Sequence, residues 1–200
     1  MNIAIFASGG GSNAAVIIKT LPTLLKGKHA NAFISLILTN NAKAGVLDIA
    51  AINNIPSITI NLKGKTNIEI DESYLDILNK HAIDFIILAG YLKKIPLSLI
   101  KAYPQKIINI HPALLPAYGG AGMYGKYVHE AVVAAGEKQS GITIHYVDEV
   151  YDHGAIIYQT TCAVEEGETG ESLAKKVLQL EHEWYSKVLA DIIFPQNHVK

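Results

Sequence analysis

The sequence predicts an α/β fold: a doubly wound, mostly parallel sheet with antiparallel strands at one edge. Three observations predict it. Short apolar, β-branched runs alternate with amphipathic stretches over the first two thirds of the chain, as expected for strands buried on both faces and joined by helices. A glycine-rich turn follows the first apolar run and opens a helix. The last third places two strand-like runs side by side with only a loop between them, which suits an antiparallel edge.

Taken in order, Asn2–Ala7 reads as a buried strand, with a glycine turn and a helix from Ser12 that Pro22 should end or kink. Ala32–Thr39 is a second strand, and residues 44–53 a helix. Ser57–Asn61 is a short strand, Glu69–His81 a helix, and Asp84–Ala89 another buried strand. Pro96–Tyr103 is a short helix opened by proline, and Lys106–Ile110 a further strand. Gly125–Ala135 reads as a helix. Gly141–Val147 and Ala155–Val164 read as strands separated by a hairpin or wide loop, Asp148–Gly154. The last helix runs from Thr169, its expected N-cap, to Ile193, with Leu173, Val177, Leu180, Trp184 and Val188 on one face.

The composition narrows the function. The chain has 200 residues, half of them hydrophobic, and a formal net charge of −1 from 17 basic and 18 acidic side chains. At about 150 residues per domain this is one domain, 1–200. The even charge argues against a general nucleic-acid binder or a membrane-surface protein. No apolar run approaches the ~18–20 residues that span a bilayer. The N-terminus carries no basic residue before its apolar stretch, so no secretory signal is expected. The single cysteine, Cys162, rules out an intrachain disulfide, and a cytoplasmic protein is expected. In an apolar strand it reads as a core residue rather than a nucleophile. All 17 basic residues are lysine. Bidentate arginine clamps are therefore impossible, and any anion must be held by backbone N–H groups, helix dipoles or lysine.

Three segments carry candidate chemistry. Ser8-Gly9-Gly10-Gly11-Ser12-Asn13-Ala14 joins a strand to a helix. It is either a phosphate cradle of free N–H groups or a tight turn with Ser12 as the helix cap. It also fits a dinucleotide fingerprint, but Thr39-Asn40-Asn41-Ala42, at the end of the second strand, lacks the acid that would hold a ribose. A phosphate monoester is therefore favoured over NAD. Asn109-Ile110-His111-Pro112 closes a strand, so Asn109 and His111 share a face at the carboxyl end of the sheet. Together they could bind and protonate an oxyanion, or merely hydrogen-bond a neighbouring loop. Asp148-Glu149-Val150-Tyr151-Asp152-His153-Gly154 is a solvated turn, a metal loop without a second ligand cluster, or the source of a carboxylate that faces His111 and favours imidazolium.

In combination these segments resemble the 10-formyltetrahydrofolate-dependent formyltransferases. The resemblance is carried by Ser8-Gly9-x-Gly11-Ser12-Asn13, Leu88-Ala89-Gly90-Tyr91, Asn109-Ile110-His111-Pro112-x-Leu114-Leu115-Pro116, His145-Tyr146-Val147 with Asp152-x-Gly154, and Glu181-His182. Gly-Ser-Asn after the first strand points to the branch that takes glycinamide ribonucleotide in purine biosynthesis. The resemblance implies a formyltransferase-like Rossmann variant, with phosphate binding in the N-terminal half and catalysis and folate binding in the C-terminal half. It implies Asn109, His111 and Asp152 as the catalytic trio, and Gly11, Ser12, Asn13, Gly90 and Glu181 as contacts to glycinamide ribonucleotide. Leu92, Lys93, Lys94 and Ile95, with Asp148, Glu149, Val150, Tyr151, Asp152 and Asn109, would receive the folate. The co-substrate would be 10-formyltetrahydrofolate, with no metal, no nucleic acid and no membrane, in a monomer or homodimer. A cis peptide at Leu115–Pro116 is also implied. Family members commonly place arginine near the folate, where this chain has Lys93 and Lys94. Residues 120–127 look like an insertion beside the active site. Relatives acting on methionyl-tRNA carry a further RNA-binding domain, and the deformylases an extra N-terminal one; neither is expected here. The reading from a different class is a non-catalytic nucleotide-phosphate-binding domain that keeps the glycine loop and dispenses with the trio.

Overall fold

Apolar strands and flanking amphipathic helices assemble as the alternation requires. The computed structural model describes residues 1–25 and 32–194. Its seven strands follow the order β3-β2-β1-β4-β5-β6-β7. The chain divides into two units: Met1–Ile107 with the segment from Ser186 onward, and Ile108–Tyr185.

The first unit holds β1 (Asn2–Phe6), α1 (Ser12–Leu25), β2 (Phe33–Thr39), α2 (Val46–Ile52), β3 (Ser57–Thr59), α3 (Asn67–Lys80), β4 (Phe85–Leu88) and α4 (Leu97–Ala102). β1 pairs in parallel with β2 and β4, with Ile5 opposite Ile37 on one side and Ile87 on the other. Ile3, Ile5, Phe6, Leu36, Leu38 and Ile86 are fully buried because helices cover both faces of a parallel sheet. α1 supplies Ile17 and Leu21, and α3 supplies Tyr74 and Leu78. α3 starts where a capping box closes it: Thr66 accepts from the Glu69 N–H, and the Glu69 carboxylate accepts from the Thr66 N–H. Of the two outcomes expected at Pro22, an end or a kink, the end does not occur: α1 continues to Leu25. Leu21 and Leu25 are both buried, and their packing holds the final turn despite the missing N–H.

The second unit holds β5 (Ile107–His111, from Ile108), α5 (Lys126–Ala134), β6 (Gln139–Tyr146), β7 (Ile156–Ala163) and the greater part of α6 (Gly170–Ile193). β6 runs antiparallel to both β5 and β7, as the closely spaced strand runs predict. Thr169 caps α6 as expected, accepting from the Ser172 N–H at 3.1 Å. Trp184 stacks on Tyr158 of β7 with centroids 5.0 Å apart, and the Tyr185 hydroxyl donates to the Ile108 carbonyl at 3.1 Å. Asp148–Gly154 is a wide loop rather than a tight hairpin.

Candidate active site

In the second unit the β5–β6 register sets Asn109 opposite His145 and His111 opposite Thr143. The loop after β6 returns Asp152 to the same place. Its Oδ2 lies 3.5 Å from His111 Nδ1, and its Oδ1 accepts from Asn109 Nδ2 at 3.4 Å. The strand thus supplies two neighbours by geometry, and a residue 41 positions after His111 supplies the charge that joins them. Gly120 N–H also donates to Asp152 Oδ2, at 3.0 Å. Asn109 Nδ2 lies 3.1 Å from His145 Nε2.

The loop after β5 is held from below. Thr143 Oγ1 accepts from the Leu115 N–H at 3.0 Å and donates to the Ala113 carbonyl at 2.7 Å, and Gln159 Nε2 donates to the Leu115 carbonyl. The Leu115–Pro116 bond is cis, as the resemblance implies. The loop delivers the Tyr118 carbonyl to His111 Nε2 at 2.8 Å. A carbonyl only accepts, so Nε2 carries a proton. Gly154 has a steric reason: a Cβ there would run into the Tyr146 carbonyl.

His111 is only 3% exposed. Burial holds its imidazole below the ordinary value, against the opposite pull of the Asp152 carboxylate and the Tyr118 carbonyl; His145 adds to the lowering. The carboxylate does face His111, but desolvation outweighs it, so the net direction is the reverse of a shift toward imidazolium. For Asp152, burial works against ionisation. The nearby histidines and the Gly120 N–H outweigh it, and the carboxyl lies below its ordinary range. His129 on α5 is also buried, and its imidazole is lowered by burial and by His111.

In the first unit the glycine loop is a cradle of backbone. The Gly11 carbonyl accepts from the Ala15 N–H, so Gly11 is the cap and Ser12 is already helical. The N–H groups of Ser12, Asn13 and Ala14 are therefore first-turn donors. Gly11 has φ +78°, and a Cβ there would sit 2.8 Å from Val46 Cβ. Ser8 ties the loop to its neighbours: its N–H donates to the Gly90 carbonyl at 3.0 Å, its Oγ donates to Asn40 Oδ1 at 2.5 Å, and the Leu92 N–H donates to that Oγ at 2.9 Å. Asn40, where a dinucleotide site would need an acid, thus serves to hold the loop.

These features match one family over most of the chain: residues 1–189 fit the model described as formyl transferase. The chain belongs to the formyl transferase family. It is 42% identical over 192 residues to the chloroplastic phosphoribosylglycinamide formyltransferase of Arabidopsis thaliana, covering 95% of this chain and 64% of that protein. It is 37% identical over 195 residues to phosphoribosylglycinamide formyltransferase of Bacillus subtilis (strain 168), covering 97% and 95%. The chain thus spans a little under two thirds of the plant protein and nearly all of the bacterial one. The crystal structure of phosphoribosylglycinamide formyltransferase from Bacillus halodurans superposes with a TM-score of 0.88 at 32% identity, covering 100% of this chain and 98% of that one.

Within this formyl transferase the expected trio of Asn109, His111 and Asp152 is brought together. Gly11, Ser12 and Asn13 follow Ser8 in the glycine loop of the first unit, and the Gly90 carbonyl accepts from the Ser8 N–H, with Gly90 at φ +75° and open space where a Cβ would point. Glu181 lies buried on α6. The expected folate segments divide: Leu92, Lys93, Lys94, Glu149, Val150 and Tyr151 are exposed, Asp148 binds the exposed His153 at 3.1 Å, and Ile95 is buried. Sequence reasoning left out His145, Tyr118 and Gly120 as partners of the trio. His145 was visible only as a motif letter, because its role comes from cross-strand register.

Proposed function

We propose that this chain transfers the formyl group of 10-formyltetrahydrofolate to the amine of glycinamide ribonucleotide, residues 1–200 acting as one catalytic domain. The observation that carries the reading is the Asp152 carboxylate, which reaches both Asn109 and His111 in a largely buried setting. A phosphate-binding module has no need of such a cluster. The names of the plant and Bacillus relatives support the same substrates.

The amine attacks the formyl carbon, a tetrahedral oxyanion forms, and the bond to N10 of the folate breaks. The proton lost by the amine ends on N10, giving the formylated ribonucleotide and tetrahydrofolate. His111 has an acceptor at each nitrogen, the Tyr118 carbonyl and Asp152 Oδ2. Those two oxygens favour imidazolium while burial opposes it, so the ring is poised to take a proton as charge develops and return it. To reach the substrate, His111 exchanges one of these contacts for a bond to the reacting group. Gly11, Ser12 and Asn13 hold the ribonucleotide phosphate through backbone N–H groups, and Gly90 and Glu181 contact the rest of it. The resemblance assigns contacts to the pterin to Leu92 and Ile95 in the first unit and to the Asp148–Asp152 loop in the second, and gives Lys93 and Lys94 the task of attracting the glutamyl carboxylates. Placing two substrates together supplies much of the acceleration. A reducing, cytoplasmic setting suits the single cysteine; no helix among the described residues is long and apolar enough to cross a membrane.

The test is formyl transfer by the purified chain with both small molecules. Turnover is expected with glycinamide ribonucleotide and not with methionyl-tRNA. Binding of glycinamide ribonucleotide without turnover favours the non-catalytic phosphate-binding domain.

A further inference from the structure

In the first unit two tyrosines meet hydroxyl to hydroxyl in the core, and formyl transfer gives neither a task. Tyr74 lies on the inner face of α3, one turn before Leu78, and is fully buried. Tyr91 comes three residues after the end of β4 and is 8% exposed. Their hydroxyl oxygens are 2.5 Å apart. Both rings also rest on Phe6 of β1: Tyr74 stacked with centroids 6.0 Å apart, Tyr91 edge-on at 5.3 Å. Phenylalanines would fill this space with no polar atom to satisfy. Burial and Tyr74 push the Tyr91 hydroxyl well above the ordinary phenol value, so it meets its partner as a neutral group.

The pair matters for what Tyr91 carries. After β4 the chain turns through Gly90 at φ +75°. Leu92, Lys93 and Lys94 are then exposed, and Ile95 is buried again. The exposed tripeptide is thus strung between two buried anchors, Tyr91 and Ile95. The turn is also tied to Ser8, through the Gly90 carbonyl and the Leu92 N–H. Ser8 has braces of its own: its Oγ donates to Asn40 Oδ1, and its carbonyl accepts from Asn41 Nδ2 at 3.2 Å. The glycine loop therefore keeps its place without Tyr91, whereas the Tyr91 anchor is fastened to α3 by its hydroxyl bond to Tyr74.

We infer that Tyr74 and Tyr91 are a positioning pair for the folate co-substrate: their hydroxyl bond holds the anchor down, and with it the main chain of residues 92–94 on which the folate docks. This inference rests on the formyl-transfer reading, which puts folate on that segment. Without the Tyr74 hydroxyl, the Tyr91 hydroxyl is stranded among apolar side chains, which is costly. The water that could satisfy it lies toward the surface, so Tyr91 moves outward and the tripeptide moves with it. Removing both hydroxyls takes away the demand at both ends, and two phenylalanines keep the packing on Phe6.

The test follows binding and turnover on the full chain. Tyr74→Phe should raise the calorimetric Kd for tetrahydrofolate and the KM for 10-formyltetrahydrofolate by about 3–30-fold, with kcat and the KM for glycinamide ribonucleotide within about twofold. The double variant Tyr74→Phe/Tyr91→Phe should return folate affinity to within about threefold of wild type, the non-additivity of a coupled pair. A Tyr74→Phe chain that melts lower yet binds folate as the wild type does makes the pair a core feature only and overturns the proposal. Equal weakening of both substrates overturns it, as does a double variant no tighter than Tyr74→Phe. Should Tyr74→Phe not fold, Tyr91→Leu decides, because it cuts the anchor and strands no hydroxyl on the segment: folate binding weakened at least threefold supports the proposal, and wild-type affinity overturns it. Wild-type chain that binds tetrahydrofolate without formylating glycinamide ribonucleotide overturns the functional reading, and the Kd values alone then decide the proposal. Wild-type chain that binds no tetrahydrofolate overturns both.

Discussion

The glycine loop of the first unit and the carboxylate–imidazole cluster of the second are built in opposite ways. The loop offers backbone N–H groups, carries no charge, and is shaped by the lack of side chains at residues 9–11. The cluster is built on side chains drawn from two strands and a loop, braced by the Gly120 N–H and the Tyr118 carbonyl, and its properties come from burial and charge. The backbone site has its steric limit at Gly11, where a Cβ would meet Val46, while Gly9 and Gly10 face open space. A side-chain site keeps its shape under isosteric change and loses its chemistry. The two regions should therefore fail differently when altered.

The largest effect is expected where charge is removed without changing shape. Asp152→Asn should lower kcat by about 10²–10⁴-fold while KM for glycinamide ribonucleotide stays within about threefold. A comparable loss in binding would break the contrast between the units. His111→Asn should behave alike, and the double variant should be far from multiplicative. Next comes Gly11→Ala. An alanine at φ +78° costs about 1–2 kcal/mol in backbone strain and, 2.8 Å from Val46, about 1–3 kcal/mol more in overpacking. It should raise KM for glycinamide ribonucleotide by about 10–100-fold and leave folate affinity nearly unchanged; parallel weakening of both ligands would mean that the whole unit is disturbed.

Smaller effects sharpen the comparison. Lysines at 93 and 94 attract carboxylates as point charges, so folate affinity should fall by about 3–10-fold between low and high ionic strength. Affinity that ignores salt would assign folate recognition to apolar contact alone. Acid should act chiefly on the second unit. The His111 and His129 imidazoles lie below their ordinary value in the folded chain. The unfolded chain therefore takes up protons first, and stability falls as pH drops through about 6.5 toward the folded values. Thermal denaturation between pH 7.5 and 5 should show a midpoint lower by a few degrees in acid, and His129→Phe should reduce that slope.

The parallel strands were legible because burial on both faces leaves runs such as Phe85–Leu88 without a polar residue. The end of α1 was not, because local chemistry at Pro22 lost to the packing of Leu21 and Leu25. Within the site, Asn109 and His111 could be paired by strand period alone. Asp152 needed the family resemblance, since a loop residue has no period. His145 escaped because strand register, not sequence spacing, decides which side chains meet across a sheet. The sign of the His111 shift was misjudged for a related reason: the carboxylate is a visible letter, whereas the 3% exposure that outweighs it is a property of the assembled unit.

Asp152 has φ +55°, a left-handed backbone conformation that glycine, asparagine and aspartate adopt more readily than other residues. Glycine and asparagine are therefore the replacements that suit the backbone at 152, and both keep the turn while losing the carboxylate. A chain evolved in the laboratory for folding alone, without a catalytic screen, should accept these two at 152 and few others. Under joint selection for growth without external purines neither should appear, so residue 152 would report which of the two pressures a population has experienced.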